Sequence, residues 1–367
     1  MKIMFVSAAN STHTVRWVNA LAERGHEVYL VSNRGHEPKE DALNSSVKLY
    51  LMRYSGGKGY YLNAGELRKI AKRINPDVIN VHYASGYGTL ARKARLPKYI
   101  LSVWGSDVYD FPYESRVKNH ILKRNVRSAS YLASTSNCMA VQLKKVMQDE
   151  KLEITITPFG VDLNKFDPKK YKEIEKEELI IGNIKALEEI YGIEEMILAF
   201  RDLKKELEQE HYSRKIKLLI YGSGSKKEQY KDLINKQNLQ DSVFLKGKIP
   251  NTKVPEAISE FDIFCALSRK ESFGVAAVEA MAMKKPVVAS DADGFKEVIE
   301  DGKTGLIISR KEINKAKDAL KKLVLDEKMR TEMGNNGRRR VEQLYSWNDN
   351  VEKMLNLYER VRCDNEH

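Results

Sequence analysis

The chain has 367 residues, 42% of them hydrophobic and 31% charged, a composition that excludes a disordered polymer. Its length allows two domains, because single cores rarely grow beyond about 250–300 residues. The formal net charge of +12 is unevenly placed: residues 1–165 hold 25 Lys and Arg against 14 Asp and Glu, and the remainder 38 against 37.

The run Met1 to Ser7 is too short an apolar stretch for a signal peptide and reads as a first buried strand. No apolar run approaches the roughly 18–20 residues that cross a bilayer. Cys138, Cys265 and Cys363 are far apart and odd in number, which argues against a disulfide framework or a metal site. The cytoplasm is therefore the expected compartment. Strand-like runs follow at Ile3–Val6, Val28–Val31, Val47–Leu51, Val78–Val81, Tyr99–Val103, Tyr131–Ala133 and Ile154–Ile156. Candidate helices Thr14–Glu23, Leu62–Arg73 and Glu114–Arg127 lie between them. Such alternation predicts an α/β fold with parallel sheets and crossover helices.

Residues 166–178 are polar and charged, contain Pro168, and read as a linker. The pattern restarts with Leu179–Gly182, Ile216–Tyr221, Val243–Leu245, Asp262–Ala266, Val287–Ser290 and Leu306–Ile308. A final helix within 346–367 places Val351, Met354, Leu355 and Tyr358 at helical spacing. The expected organisation is two Rossmann-like domains, 1–165 and 179–345, facing a cleft.

The excess charge of the first half gathers in clusters: Arg68, Lys69, Lys72 and Arg73; Arg92, Lys93, Arg95 and Lys98; Arg116, Lys118, Lys123, Arg124 and Arg127. Two readings of these faces stand. One is attraction to an anionic membrane surface, worth about 1 kcal/mol per residue, which would make the protein peripheral on the inner face of a membrane. The other is a solvated surface that aids solubility. Nucleic acid is disfavoured, because no recognition motif accompanies the charge.

The most informative segment runs from Glu271 to Glu279 through Ser272, Phe273, Gly274 and Val275. Flanked by the apolar runs Phe261 to Leu267 and Pro286 to Ala289, it reads as strand, loop, helix, strand. Such a loop opens at the carboxyl edge of a parallel sheet, where open α/β folds bind ligands. The free N–H groups of Phe273, Gly274 and Val275 suit a phosphate, and Gly274 lets a diphosphate approach the backbone. Glu279 lies about 7.5 Å along the helix axis, at about 1.5 Å per residue, where its carboxylate can accept hydrogen bonds from vicinal sugar hydroxyls. Glu271, still in the loop, falls on the other side of the phosphates.

With its continuation through Pro286 to Asp291, Gly294 to Ile299, and Asp301 to Leu306, this segment resembles the retaining glycosyltransferases of family 4, which have the GT-B fold. The spaced glutamates are that family's signature. The resemblance implies transfer of a sugar from a UDP- or GDP-linked donor to a glycan or lipid-linked acceptor, in cell-surface polysaccharide or glycolipid synthesis and without a metal cofactor. It also implies that the terminal helix packs back on the first domain.

Motif by motif, Lys185, after Ile180–Ile184, resembles the basic residue that neutralises the departing diphosphate. Gly222 and Lys248 resemble the loop and strand end near the nucleotide. Glu271 would contact the sugar and Glu279 the ribose. In the first domain, His82 resembles a cleft histidine at a strand end, and Asn10 stands in the loop where relatives carry paired glycines. His13 either faces the cleft or is a solvated helix-start residue. Asp107 either orients the acceptor or holds its own loop by an Asx-type turn. Tyr191 precedes Gly192 where many members have a lysine, Lys284 stands where relatives usually have glycine, and Asp293 where they often have the first of two glycines. Two rival functions remain. A nucleotide-sugar epimerase shares the two-domain architecture but is disfavoured by the Glu271/Glu279 spacing. A non-catalytic scaffold that binds nucleotide-sugar or membrane would show no transfer from any donor.

Overall fold

A computed structural model describes residues 1–171 and 177–366 of the chain. They form two compact units, Met1–Pro158 with Asn348–His367, and Phe159–Trp347.

The first unit is a seven-stranded parallel sheet: β1 (Lys2–Val6), β2 (Glu27–Arg34), β3 (Lys48–Ser55), β4 (Val78–His82), β5 (Ile100–Val103), β6 (Tyr131–Ser134) and β7 (Thr155–Ile156), in the order β3-β2-β1-β4-β5-β6-β7. The second is a six-stranded parallel sheet: β8 (Glu178–Ile184), β9 (Lys215–Tyr221), β10 (Val243–Gly247), β11 (Ile263–Ala266), β12 (Val287–Ser290) and β13 (Gly305–Ile308), in the order β10-β9-β8-β11-β12-β13. Every strand lies where an apolar run predicts one. Helices cover both faces of a parallel sheet, so its central strands are buried throughout and read as continuous hydrophobic runs; β4, β11 and β12 are buried at every residue.

Both orders reverse once, between β1 and β4 in the first unit and between β8 and β11 in the second. At such a reversal the crossover helices on either side lie on opposite faces, and the loops leaving the two strands diverge and open a crevice at the carboxyl edge. Each unit therefore offers one such crevice.

Three details differ from the periodic reading. The predicted helix Leu62–Arg73 is observed as Ala64–Ile74, and a separate helix that the pattern did not predict, Gly56–Leu62, precedes it across Asn63. Asn63 is buried; its Oδ1 accepts from the Tyr54 amide at 3.0 Å, and its Nδ2 donates to the Tyr54 carbonyl and to Asn33 Oδ1, each at 2.8 Å. Similarly, Glu114–Arg127 is broken at Ser115, whose hydroxyl accepts from Lys118 N and caps helix Arg116–Ser128.

The chain also leaves the first unit after Pro158 rather than at residue 165. Ahead of the residues read as a linker, the chain builds a turn. The Asp162 carboxylate accepts from the amides of Asn164 and Lys165 at 2.9 and 3.1 Å, and Phe166 is buried with its carbonyl 2.6 Å from Arg338. Within the linker reading, residues 172–176 lie outside the described residues.

The last helix, Trp347–Glu366, belongs to the first unit from Asn348 onward. Its Val351, Met354, Leu357, Tyr358 and Val361 are buried. Asn80, in the middle of β4, donates to Tyr358 Oη at 2.7 Å and accepts from Ser102 Oγ at 2.9 Å. Removing the phenol oxygen leaves a buried amide donor short of its acceptor, which costs about 1–3 kcal/mol. Tyr358→Phe is expected to lower the urea midpoint of the first unit's unfolding by a corresponding amount; an unshifted midpoint would show that Asn80 gains nothing from this bond.

Candidate functional site

In the second unit the loops after β8 and β11, the two strands at the reversal, carry Lys185 and Glu271. Gly182 and Phe264 sit opposite one another in the paired strands, so these loops leave the sheet side by side. Lys185 Nζ lies 2.6 Å from Glu271 Oε2, with side chains only 16% and 13% exposed. Burial pulls the lysine's pKa down, but attraction to and hydrogen bonding with Glu271 outweigh it and hold it above its ordinary value; Glu279 adds to the same rise. The ammonium also lies 5.0 Å from the centre of the Tyr191 ring, a cation–π distance.

Close backbone packing fixes this arrangement, and glycines permit it. A Cβ on Gly222 would sit 1.8 Å from the Lys185 carbonyl oxygen, and one on Gly224 2.4 Å from that of Leu187. Gly192, in the left-handed region at φ +64°, leaves no room for a Cβ against the Leu267 carbonyl, 2.0 Å away. Gly222 thus supports the main chain of Lys185 from behind. The two loops are also laced by charge. Arg269 donates through Nε and Nη2 to Glu195 at 3.0 and 2.8 Å, pairs with Glu189, and its amide reaches the Ile190 carbonyl at 2.8 Å.

Helix Val275–Ala282 begins at Gly274, whose φ of +98° suits glycine. Its first-turn amides have no intrahelical acceptor and form an anion-suited terminus. The amides of Ala277 and Val278 already bond to the Gly274 carbonyl, so the donors without an intrahelical acceptor are those of Gly274, Val275 and Ala276. Phe273 contributes only backbone: its ring is buried between Phe159 and Tyr345, at centroid distances of 5.9 and 5.5 Å. Gly294 buttresses the loop from the next helix; its amide donates to the Glu271 carbonyl at 2.8 Å, and a Cβ there would meet Phe273 N at 2.4 Å. Glu279 is half-buried one helical turn on, near enough to Lys185 to act on its charge. Lys248 stands apart from this group, exposed just after the edge strand β10.

In the first unit the reversal gathers His82 at the end of β4 and the loop after β1. His82 is fully buried; its Nδ1 is 3.2 Å from Ser7 Oγ, which in turn meets Thr14 Oγ1 at 2.8 Å. Its Nε2 has no hydrogen-bond partner among the described residues. The ring packs on Trp104 at 4.1 Å and on Phe5 at 5.1 Å. His13, half-buried, meets the same Trp104 at 5.8 Å, so both histidines share one aromatic wall and the solvated reading of His13 does not fit. Burial, followed by the neighbouring His13, pulls His82 down to about 3; burial, followed by Arg16, pulls His13 down to about 4. Both are neutral near pH 7, so His82 is suited to hydrogen bonding there rather than to carrying a proton. Asn10 is exposed in the turn before helix Thr12–Glu23.

Asp107 is committed to the backbone. Its Oδ1 accepts from the amides of Trp104 and Gly105 at 3.1 and 2.8 Å, and its Oδ2 from Ala84 at 2.9 Å. It is 1% exposed, so of its two readings the loop-holding one fits: it ties the loop after β5 to the loop after β4. Sequence reasoning missed Arg269, Glu195 and Gly294. A signal existed for Glu195, an acid among Ile193, Met196, Ile197 and Phe200 on the apolar face of helix Ile193–Gln209.

Comparison with known proteins gives two family matches: glycosyl transferases group 1 over residues 164–340, and glycosyl transferase 4-like over residues 2–136. The chain is 24% identical to N-acetyl-alpha-D-glucosaminyl L-malate synthase of Bacillus anthracis, over 94% of this chain and 91% of that protein. In fold it is similar to sucrose-phosphate synthase of Thermosynechococcus elongatus, with a TM-score of 0.83 at 18% identity over 99% of both chains. It is also similar to S. aureus TarM in complex with Fondaparinux, alpha-GlcNAc-glycerol and UDP, with a TM-score of 0.74 at 16% identity over 98% of this chain and 100% of that one.

The two depressed histidines set a pH dependence. Between about pH 4 and 6.5 the unfolded chain binds protons at His13 and His82 that the folded unit does not, so stability rises with pH across that window. The melting temperature is expected to fall as pH is lowered from 6.5 towards 4, and His82→Gln to flatten that fall. An identical slope in the variant would show that the buried imidazole is not its source.

Proposed function

Given that this chain belongs to the glycosyl transferases group 1, family 4, and has the GT-B fold of enzymes of polysaccharide and glycoconjugate synthesis, we propose that it moves a sugar from a nucleoside-diphosphate sugar to a glycan or lipid-linked acceptor with retention of anomeric configuration. The observation that carries this reading is the Lys185–Glu271 pair at the reversal of the second sheet, beside the helix start at Gly274 and Val275 and with Glu279 one turn further on.

Transfer needs stabilisation of a departing diphosphate and of an oxocarbenium-like sugar centre. In this proposal the Lys185 ammonium and the amides of Gly274 and Val275 receive the developing negative charge, a preorganised stabilisation that changes little during the reaction. No metal is part of it. Glu279 accepts from the ribose hydroxyls. Glu271 accepts from hydroxyls of the donor sugar and so places the anomeric carbon; it is given no nucleophilic role. The neutral His82, with a ring nitrogen to spare, is assigned to a hydroxyl of the acceptor or donor. A UDP-linked N-acetylglucosamine is the first donor to test, supported by the aminosugar in the name of the B. anthracis relative and by the UDP bound to the similarly folded TarM.

The acceptor side is proposed to lie near an anionic surface. Among the described residues no helix is long and apolar enough to cross a membrane. Helix Arg116–Ser128 instead exposes Arg116, His120, Arg124 and Arg127 along one face, at helical spacing. Val117 is 68% exposed on the same helix, with Tyr113 (59%) just before it. Basic heads with apolar side chains among them suit the headgroup layer of an anionic bilayer.

Three measurements test this reading. In a thermal-shift panel of UDP- and GDP-sugars, the matching donor should raise the melting temperature, since ligand at 100 times its Kd adds about 2.7 kcal/mol to stability. Glu279→Ala should weaken binding of that donor by calorimetry; unchanged nucleotide affinity removes the ribose assignment, and binding without transfer to any acceptor favours the scaffold. Separately, reversing charge at Arg124 and Arg127 should reduce sedimentation with phosphatidylserine vesicles, and equal sedimentation would sink the membrane contact.

A further inference from the structure

The donor reading assigns Lys185 to the diphosphate and Glu271 to the sugar, yet in the structure the two are bound to each other at 2.6 Å in a largely buried position. A buried carboxylate that loses its cation partner is strongly destabilised unless other donors replace it. A nucleoside diphosphate that draws Lys185 away provides no such donor. A nucleotide-sugar does, through its sugar hydroxyls.

We propose that Lys185 and Glu271 act as an exchange pair: the diphosphate takes over Lys185, the sugar hydroxyls take up the carboxylate so released, and once the sugar has been transferred Glu271 recaptures Lys185 and displaces the nucleoside diphosphate. No proton moves and no bond forms in the exchange. It couples recognition of the two halves of the donor, so that neither half binds well alone, and it turns sugar loss into product release. This rests on the donor-site reading above.

Tyr191 makes the exchange feasible. Its ring, 5.0 Å from the Lys185 ammonium, holds the cation by its π face and does not compete for the hydrogen bonds a phosphate would make. The main chain on both sides of Tyr191 is fixed, because the Gly192 backbone abuts the Leu267 carbonyl and the Arg269 amide bonds to Ile190, and the side chain packs against the core of the unit. The lysine can therefore change its anionic partner without leaving the crevice, while Arg269, Glu189 and Glu195 keep the two loops fixed.

Calorimetry with UDP, GDP and their sugar conjugates on the full chain tests the exchange, using wild type, Glu271→Gln, Lys185→Met and the double variant after their melting curves confirm folding. Glu271→Ala replaces Glu271→Gln if the latter does not fold. Wild type should bind the nucleotide-sugar more tightly than the matching nucleoside diphosphate. Glu271→Gln should bind the nucleoside diphosphate about tenfold or more tightly than wild type, the scale of one buried charge pair, and lose the preference for the sugar conjugate. In the Lys185→Met background that gain should vanish. The exchange is overturned if Glu271→Gln binds the nucleoside diphosphate no more tightly than wild type. It is equally overturned if the gain persists without Lys185, since general repulsion between carboxylate and phosphate then accounts for it. If wild type binds none of these nucleotides, the donor-site reading itself falls, and the exchange with it.

Discussion

One buried ion pair organises the second unit. Lys185 and Glu271 are 86 residues apart in sequence, and they meet because β8 and β11 are neighbours at the one place where the strand order reverses. Desolvating both charges is costly, and the cost is offset only where the geometry is good and the remaining valences are filled. The surrounding structure reads as the means to that geometry. Gly192, Gly222, Gly224 and Gly294 each sit where a Cβ would strike a backbone atom of the loops bearing the pair. Arg269, with Glu189 and Glu195, clamps the same loops on their outer side. A helix start whose first amides lack an intrahelical acceptor completes the crevice.

The first unit has the same topology and the opposite electrostatics. Its crevice is walled by Phe5, Trp104 and two histidines kept neutral by burial. The carboxylate buried in it among the described residues, Asp107, is held by backbone amides rather than by a cation. The excess basic charge of this unit therefore lies outside the crevice, on helix faces such as Arg116–Ser128. Charge in the second unit sits inside the crevice, whereas charge in the first sits on the surface.

Much of this was legible in the sequence, for reasons that also mark where legibility ended. Parallel strands buried on both faces announce themselves as short apolar runs, so all of the strands could be placed. The Glu271–Glu279 spacing and Lys185 were readable because a loop and the helix that follows it are local objects. The break at Asn63 between two helices was not, since Asn63 acts through Tyr54 and through Asn33 on another strand. Arg269 carries no mark in the sequence, and only the fold brings it to Glu195. The unit boundary falls after Pro158, ahead of a polar turn built on Asp162 that composition alone does not separate from a linker. For Asp107, open between two readings, the carboxylate oxygens meet backbone amides, which fits the loop-holding one.

The helix that completes the first unit has a consequence for how the protein comes into being. Residues 348–367 are synthesised only after the whole of Phe159–Trp347. Until they emerge from the ribosome, Asn80 lacks its phenol partner, and the surface of β1 and β4 around Phe5, later packed beneath Tyr358, stays uncovered. The unit made first is thus finished last. Its exposed sheet must be shielded during the interval in which the second unit is made and folds, the period when unpaired apolar surface invites misassembly. A stalled or clipped chain that keeps every residue of both crevices but lacks this helix would carry an intact second unit and an unfinished first one.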